Sequence, residues 1–344
     1  MTIAIDITKP ETLLNLTDNE LQSLLLEGVS RTFALTIPVL PDELNSVVAN
    51  AYLLCRTVDT IEDEATLTAD QKKFFCESFI NVVRTGEGAK GFSQSLAPLL
   101  SDKTLPAEHT LIKLCHRVIS ITHSFDAEQV DALATCVEIM AKGMPLYQSV
   151  DLSGGLKTMK DLDQYCYFVA GCVGEMLARL FCHHSTEINK HKDELMSLAV
   201  SFSQGLQMTN ILKDIWDDKK RDVCWLPQEV FNQYGFDLST LSKDTHDTNF
   251  NKGMVKLCDR AEEHLRDALT YTLIIPRNET GIRKFCLWAI GMAILTISKI
   301  RKYPDFKHSN DVKISRRQVK ITVVATNLAV RSNTLLKILF NMAT

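Results

Sequence analysis

Two short acidic clusters are the most chemically informative feature of this chain. The first contains Asp59 and Asp63 and the second contains Asp214 and Asp218, so each places two aspartates four residues apart. Residues at that spacing lie on one face of an α-helix, where two carboxylates repel each other. Magnesium binds one or two carboxylates and keeps its other positions for water and phosphate oxygens. If the two faces oppose each other across a cavity, they would bind magnesium together with one or two diphosphates.

Basic and amide side chains accompany both clusters, and apolar helix sequence precedes them. A carboxylate in apolar surroundings must be paired or metal-bound, because an unpaired buried charge costs several kcal/mol. A single pair at this spacing is usually a solvated acidic face, whereas the repetition favours a metal site. The accompanying side chains are Arg56, Gln207, Asn210, Lys213 and Arg221.

The composition excludes several other classes of protein. The chain has 38 Lys and Arg against 42 Asp and Glu, so it lacks the basic excess of a nucleic-acid binder, and no nucleic-acid partner is predicted. Ten cysteines without a C-x-x-C pair indicate neither a zinc ribbon nor a disulfide framework. The run from Cys182 to His184 could bind a metal, but a surface turn at a helix end is the favoured interpretation.

Apolar residues recur every three or four positions, and few glycines and prolines interrupt them, so the sequence predicts an all-α fold. We expect one domain over residues 1–344, with a core at about 20–300 and a C-terminal helical segment at about 312–344. Gly171 and Gly174 interrupt one helix and favour either close packing or room for a ligand. Helices are predicted at about 19–29, 42–64, 70–85, 106–122, 126–150, 160–182 and 189–219, with an irregular connection at 221–235.

The sequence gives an expectation about membranes as well. The N-terminus lacks the features of a secretory signal, and the longest uncharged apolar run, Phe285–Ser298, is too short to span a bilayer. We therefore expect a cytoplasmic protein without a transmembrane anchor. Peripheral contact with the cytoplasmic membrane face is expected, either through the amphipathic stretch Val319–Phe340 or with that helix packed on the core instead. The oligomeric state is left open.

Several motifs, in order along the chain, resemble those of the squalene and phytoene synthase family of head-to-head prenyltransferases. The resemblance covers roughly residues 28–300, and Val312–Arg317 resembles the C-terminal part of the squalene synthases. The resemblance implies a single all-α isoprenoid-synthase bundle with a central active-site cavity. The motifs are Ser30–Ala34, Tyr52–Asp63, Tyr165–Gly171, Gln207–Asp218, Arg221 and Trp225–Pro227.

The resemblance also implies a role for each candidate residue. The four aspartates would bind Mg²⁺ bridged to the diphosphates of two farnesyl diphosphates. Three cations, Arg56, Lys213 and Arg221, would neutralise the leaving diphosphate. A substrate head or its first isoprene units would contact Ser30, Arg31 and Phe33. Proton removal or carbocation steering would fall to Tyr52 and Tyr165, although a buried structural tyrosine is the alternative. Gln207 and Asn210 would line the site.

The implied reaction joins two farnesyl diphosphates through presqualene diphosphate and reduces the intermediate with NADPH to squalene, as in bacterial squalene synthases. The run Phe285–Ala293 has Ala289 and Ile290 where squalene synthases have a Pro-Gln pair. Dehydrosqualene or phytoene synthesis without a reductant is therefore an alternative. A class I terpene cyclase and a non-catalytic assembly protein are further alternatives.

Overall fold

Helices account for the regular secondary structure of the described residues, with no β-strand among them. The computed structural model describes residues 13, 15–147, 150–243 and 247–344, apart from the side chain of Arg31. The predicted all-α class is confirmed. The described chain forms two compact units, Met1–Ser149 with Arg179–Thr186, and Val150–Ala178 with Glu187–Thr344. The single domain over residues 1–344 stays a prediction.

The first unit is built around one long, largely buried helix, α3. Apolar residues occupy most of its circumference, and it packs against α1, α4, α6, α7 and α8. Because its C-terminal end carries the first acidic cluster, this packing fixes the direction in which the cluster points. The helices are α1 Asp18–Val29, α2 Arg31–Thr36, α3 Asp42–Asp63, α4 Ala69–Thr85, α5 Ala89–Leu96, α6 Pro106–Lys113, α7 Cys115–Thr122 and α8 Ala127–Gly143.

The second unit is built around two long helices, α12 and α14, which lie against each other and against α15. The second acidic cluster lies at the C-terminal end of α12. Helix α10 begins in this unit and ends in the first. The helices are α9 Met159–Cys166, α10 Cys172–His184, α11 Thr186–Asn189, α12 Lys192–Lys219, α13 Gln228–Asn232, α14 Thr248–Ile274, α15 Thr280–Lys302, α16 Ser309–Val312, α17 Arg316–Ala329 and α18 Asn333–Ala343.

Local sequence signals explain where many helices begin. Thr17, Thr68, Asp126, Thr158 and Ser315 each accept a hydrogen bond from the backbone N–H three residues later. In each case the side chain at that later position bonds back to the N–H of the cap residue, which forms a capping box. These reciprocal bonds satisfy backbone donors that a helix start leaves unpaired.

Close packing explains a glycine in α10. A Cβ on Gly174 would lie 2.2 Å from the carbonyl oxygen of Ala199 and 2.6 Å from Oγ of Ser203, both on α12. Of the two interpretations of this glycine, the structure therefore supports helix packing. Just before α10, Tyr167–Gly171 forms a π-helical turn that continues directly from α9.

The prediction of a cytoplasmic protein without a transmembrane anchor is wrong. Within the described part of the chain, two helical segments are long and apolar enough to cross a membrane, Met159–His184 and Thr280–Lys302, with 50% and 61% of their most apolar windows buried inside the protein. The prediction considered only the unbroken run of uncharged residues, which Lys284 and Lys299 bound. Lysines near the ends of a membrane-crossing helix can extend their charged groups to the interface, so they do not limit its length.

Candidate functional site

The first acidic cluster lies on the last two turns of α3. The Asp59 side chain is 30% exposed, and Asp63, one turn later, is exposed at the helix end. Their carboxylates are oxygen donors on the same helix face, as the four-residue spacing predicts. Asp63 and the intervening Glu62 also make interactions within the protein.

Arg56 organises the side chains around this cluster. Its Nη1 lies 3.8 Å from Oδ2 of Asp59 and 3.6 Å from Oε1 of Glu108. Its Nη2 donates a hydrogen bond of 3.1 Å to the hydroxyl of Tyr52. Burial lowers the pKa of this guanidinium, but Asp59, Tyr52 and Glu108 outweigh burial and raise it. A permanent cation is therefore held between the acidic cluster and an aromatic ring.

The charge on Asp59 is unfavourable in the metal-free protein. Burial raises the pKa of Asp59 to about 7, the cation of Arg56 opposes that rise, and Asp63 and Glu108 add to it. Near neutral pH, this carboxyl group is therefore divided between its protonated and ionised forms. A divalent cation bound at Asp59 would favour the ionised form.

Ser30 and Phe33 lie in the same unit as this cluster. The Ser30 hydroxyl caps α2 by accepting a hydrogen bond of 3.1 Å from the Phe33 N–H. The Phe33 ring lies 4.9 Å from the Tyr52 ring, centroid to centroid. A chain of contacts thus runs from Ser30 through Phe33 and Tyr52 to Arg56. The predicted contact of the Arg31 side chain lies outside the described part of the structure.

The second acidic cluster lies on the last two turns of α12, and two amide side chains precede it on the same helix. Gln207, Asn210, Asp214 and Asp218 recur at three- and four-residue intervals and share one face of the helix. Asn210 is exposed, and the other three are partly buried. Trp216, which lies midway between Asp214 and Asp218 in sequence and therefore on the opposite side of the helix, is buried. It donates a hydrogen bond of 2.6 Å to the Phe306 carbonyl and fixes this end of the helix.

Each aspartate of the second cluster has a basic partner. Lys213 forms an ion pair with its neighbour Asp214, and Nη2 of Arg221 donates a 2.7 Å hydrogen bond to Oδ1 of Asp218. Only 13% of the Asp218 side chain is exposed. Burial raises the pKa of Asp218, the bond from Arg221 opposes the rise, and Asp214 adds to it. The electrostatic pattern at Asp218 is therefore similar to that at Asp59.

An irregular loop after α12, residues 220–227, positions Arg221. The irregular connection predicted at 221–235 is therefore only partly irregular, because α13 occupies Gln228–Asn232. Asp222 has a positive φ of 60°, and the Val223 N–H bonds back to the Asp218 carbonyl at 3.2 Å. Two further backbone bonds, Cys224 N–H to Leu152 O and Leu156 N–H to Leu226 O, hold the loop at 2.9 Å each. The loop then places the Trp225 ring against that of Tyr165, with centroids 3.6 Å apart and planes 10° from parallel.

Two carboxylates of these sites were not singled out from the sequence, Glu64 and Glu108, and Trp225 was named only as part of a motif, without a role. Glu64 is buried and accepts bonds of 2.7–2.9 Å from the backbone or hydroxyl groups of Thr66, Ser101 and Thr104. Burial opposes its ionisation, but these bonds prevail and lower its pKa to about 2. Glu64 thus anchors the loop next to the first cluster. Its position directly after Asp63 is the one sequence signal that could have identified it.

The donors of both clusters fit magnesium. Among the residues that the structure describes, no three histidine, cysteine, aspartate or glutamate side chains form a metal cluster by themselves. Magnesium needs only one or two carboxylates when water and phosphate complete its octahedron. Burial, with a smaller contribution from neighbouring carboxylates, raises the pKa values of Asp59 and Asp218, and a bound cation would stabilise their ionised forms.

The Cys182–His184 segment has a structural explanation. Cys182 is buried, His183 Nε2 lies 2.8 Å from Oδ2 of Asp126, and His184 Nδ1 lies 3.4 Å from Oε2 of Glu43. The two histidines therefore connect the C-terminal end of α10 with carboxylates of the first unit. This agrees with the favoured interpretation of the segment as a helix end.

The candidate residues thus fall into two groups, and the structure places one in each unit. The first unit holds Ser30, Phe33, Tyr52, Arg56, Asp59 and Asp63, and the second holds Tyr165, Gln207, Asn210, Lys213, Asp214, Asp218 and Arg221.

Comparisons with known proteins agree on one family. The family described as squalene/phytoene synthase matches residues 26–318. Squalene synthase of Schizosaccharomyces pombe is 29% identical over 310 residues, which cover 88% of this chain and 64% of that protein. Squalene synthase ERG9 of Saccharomyces cerevisiae is 29% identical over 304 residues, which cover 85% and 63%. The chain therefore spans less than two thirds of the length of these relatives.

Solved structures show the same fold. A complex of TcSQS with the ligand BPH1237 gives a TM-score of 0.78 at 22% identity and covers 95% of this chain and 91% of that one. A dehydrosqualene synthase in complex with a ligand gives a TM-score of 0.65 at 18% identity and covers 94% and 100%. At these identities the likeness establishes the all-α isoprenoid-synthase fold and not the reaction.

Proposed function

Because the chain belongs to the squalene/phytoene synthase family, we propose that it joins two farnesyl diphosphates head to head through presqualene diphosphate and reduces the product to squalene. The observation that carries this proposal is a repeated arrangement, in which a pair of aspartates lies beside an arginine that forms an ion pair with one of them. It occurs once with Asp59 and Arg56 and once with Asp218 and Arg221. A reaction that ionises a diphosphate needs such charge pairs where the leaving group forms.

The four aspartates would hold magnesium. When bound at Asp59 and Asp63, and at Asp214 and Asp218, Mg²⁺ would supply positive charge to the diphosphate oxygens. Arg56, Lys213 and Arg221 now pair with carboxylates of the clusters. These three cations could also donate to phosphate oxygens and would stabilise the departing diphosphate.

Aromatic side chains would protect and steer the carbocation. Phe33 and Tyr52 lie next to the Arg56 cation, and Tyr165 is stacked on Trp225. Aromatic faces attract a cation, and an apolar surrounding excludes water that would quench it. Tyr52, whose hydroxyl accepts a hydrogen bond from Arg56, is one candidate for removing the proton. Tyr165 is the second candidate for that role.

Polar side chains would position the substrates. On α12, Gln207 and Asn210 precede Asp214 by two turns and one turn on the same face, where their amides can bind diphosphate oxygens or bridging water. Near the first cluster, Ser30 and Arg31 would contact the substrate head. NADPH is the proposed hydride donor of the second half-reaction.

A reaction without a reductant is the second candidate. Helix α15 carries Ala289 and Ile290 where the squalene synthase motif has a Pro-Gln pair, and its neighbours Phe285, Cys286 and Trp288 are buried. If this difference removes the reductive step, the cation would lose a proton and give dehydrosqualene. Phytoene, from longer substrates, is the corresponding product of a phytoene synthase.

One product analysis separates these functions. The purified protein is incubated with farnesyl diphosphate and Mg²⁺, with and without NADPH, and the hydrocarbons are identified by mass spectrometry. We expect squalene only with NADPH and no product after chelation of the metal. Dehydrosqualene under both conditions would assign the second candidate instead. A cyclic C15 product would indicate a terpene cyclase, and no product in any reaction would contradict the proposal.

A further inference from the structure

His264 is a buried histidine of the second unit that the proposed reaction does not use. It lies on α14 against α12, and only 5% of the residue is exposed. A Cβ on Gly205 of α12 would lie 3.1 Å from the Cβ of His264, so the two helices approach each other closely at this point. A polar ring at such a contact needs hydrogen-bond partners from the protein itself.

Two hydrogen bonds in series fix the tautomer of His264. The Ser201 hydroxyl donates a bond of 2.7 Å to Oδ2 of Asp267 and lies 2.7 Å from Nδ1 of His264. Because the hydroxyl has one proton and gives it to the carboxylate, its oxygen accepts a bond from the Nδ1–H group. Neutral His264 therefore carries its proton on Nδ1, and its Nε2 is an acceptor.

Two buried acceptors in this region have no hydrogen-bond donor within the described part of the chain. They are Nε2 of His264 and Oδ1 of Asp163, a residue of α9. The charge of Asp163 also acts on His264. Burying an acceptor without a donor is energetically costly. A single proton on Nε2 would remove both costs, because the resulting N–H group can donate to Oδ1 of Asp163.

The charged groups around His264 belong to α9 and α14, whereas α12 contributes an uncharged hydroxyl and a glycine. Burial and the cation of Arg260 lower the pKa of His264, while Asp163, Asp267 and Glu263 oppose this effect. Oδ2 of Asp163 lies 3.6 Å from Nη2 of Arg260, which is too long for a good hydrogen bond. Arg260 also donates a 3.3 Å bond to Glu263, so it keeps a partner if Asp163 turns away.

We propose that His264 and Asp163 form a proton-operated switch inside the second unit. At neutral pH, His264 is neutral and Asp163 pairs loosely with Arg260. At acidic pH, Nε2 of His264 takes a proton from solvent and donates it in a hydrogen bond to Oδ1 of Asp163. The charged pair draws α9 towards α14, and Arg260 stays with Glu263.

Helix α9 connects this switch with the candidate site. Asp163 precedes Tyr165 by two residues, and Nε2 of Gln204 on α12 donates a 3.0 Å bond to the Asp163 carbonyl. The Tyr165 ring stacks on Trp225, which lies in the loop that carries Arg221. A shift of α9 therefore changes this stack. An effect on catalysis rests on the proposed function, whereas the switch itself does not.

Nuclear magnetic resonance of the full chain with ¹³C-labelled histidine tests the switch. The signal that disappears in His264→Gln belongs to His264, and it should titrate below the ordinary value for histidine, about 6.5. Asp163→Asn should lower this midpoint by about one unit, which is a tenfold loss of proton affinity. Arg260→Gln should raise it, since the repelling cation is gone. Because Arg260 is 40% exposed, that variant tests the switch even if Asp163→Asn does not fold.

The control for these titrations is His191→Gln, which removes an exposed histidine outside the cluster and should leave the His264 midpoint unchanged. The switch is overturned if His264 does not titrate between about pH 4.5 and 8. It is also overturned if the midpoint is the same in the parent, Asp163→Asn and Arg260→Gln.

Fluorescence tests the connection to the candidate site. The emission of Trp225 is obtained as the difference between the parent and Trp225→Phe, and it should change with the same midpoint as His264. In His264→Gln, which has no titratable group at this position, the change should be absent. Constant Trp225 emission would overturn the connection. Coupled titration of His264 and Trp225 in a protein that forms no product would support the switch and contradict only the proposed function.

Discussion

At the level of single residues, each cluster combines carboxylates and basic side chains in an arrangement suited to bind a cation. Arg56, Lys213 and Arg221 each neutralise one carboxylate, but Asp59 and Asp218 still have raised pKa values because they are buried near further carboxylates. A purely structural ion pair is expected to lower the pKa of its aspartate. The raised values therefore favour a site that a cation completes.

Removing one carboxylate from either cluster should abolish most of the activity. Asp59→Asn or Asp214→Asn should lower kcat/KM by about 100-fold or more, because an amide is a weaker magnesium ligand and the leaving diphosphate loses its counter-charge. Steady-state kinetics with farnesyl diphosphate measure the effect. Asp217→Asn is the matched control, since Asp217 is exposed and bonds Lys220 and Ser309 instead. Equal activity in all three variants would refute the metal assignment.

Magnesium should stabilise the protein more at high pH than at low pH. The folded state raises the pKa of Asp59 from 3.8 to about 7, so stability of the metal-free protein falls as pH rises through this range. Magnesium binds the ionised carboxylate and competes with the proton. The increase in Tm on adding Mg²⁺ should therefore be about 2 °C larger near pH 8 than near pH 6. Asp59→Asn should remove most of this difference, and a larger increase near pH 6 would contradict the explanation.

The residues that sequence reasoning missed have partners far along the chain. The four aspartates and their nearest cations could be identified because helical spacing brings them together locally. Glu64 reaches Ser101 and Thr104 across more than thirty residues. The stacking of Trp225 on Tyr165, two residues that the motifs did include, likewise forms only after the loop folds back. Such contacts depend on tertiary packing, which a single sequence does not display.

At the level of helices, sequence signals located most elements but not their interruptions. The prediction of α3 at 42–64 differs from the structure by one residue. The helix predicted at 106–122 is divided at Leu114, and that at 126–150 ends at Gly143 before a turn that contains Pro145. The short helix α5 was missed because the glycines at 86 and 88 precede it. Apolar periodicity continues across such breaks and therefore cannot reveal them.

Substituting the glycine at the contact between α10 and α12 should destabilise the protein. Gly174→Ala places a Cβ 2.2 Å from a backbone oxygen that cannot move aside without shifting α12, which should cost about 3 kcal/mol. Chemical denaturation measures the loss. Gly91→Ala in α5 is the matched control, because its Cβ meets nothing within 4 Å and alanine favours the helix by up to about 1 kcal/mol. Equal stability of the two variants would show that the close approach is absent.

At the level of the whole molecule, composition and periodicity were sufficient for the fold class, and the motifs were sufficient for the family. The membrane prediction failed because it considered only unbroken runs of uncharged residues, whereas the hydropathy of a whole helix decides whether it can cross a membrane. The described chain forms two compact units, and the single domain over residues 1–344 stays a prediction. The boundary between the units lies within α10, so no linker or change in composition marks it in the sequence.

The cysteines should be unreactive in the folded protein. All ten are buried, and none forms a disulfide in the part of the chain that the structure describes. Burial raises the pKa of Cys76, Cys115, Cys258 and Cys286 to about 12. Because the thiolate is the nucleophile, a polar disulfide reagent should label no thiol rapidly in the native state and all ten after denaturation. Lys73→Cys, at an exposed position, should add one fast thiol. A fast thiol in the parent would contradict the packing.

A crystal grown with Mn²⁺, as a stand-in for magnesium, and farnesyl thiodiphosphate tests the central claim most directly. Anomalous scattering locates the metal, and the electron density locates the diphosphate. We predict metal within about 2.2 Å of carboxylate oxygens in both clusters, Asp59 with Asp63 and Asp214 with Asp218, and bridged to diphosphate oxygens. Diphosphate bound elsewhere, or bound with no metal at any of the four aspartates, would contradict the account.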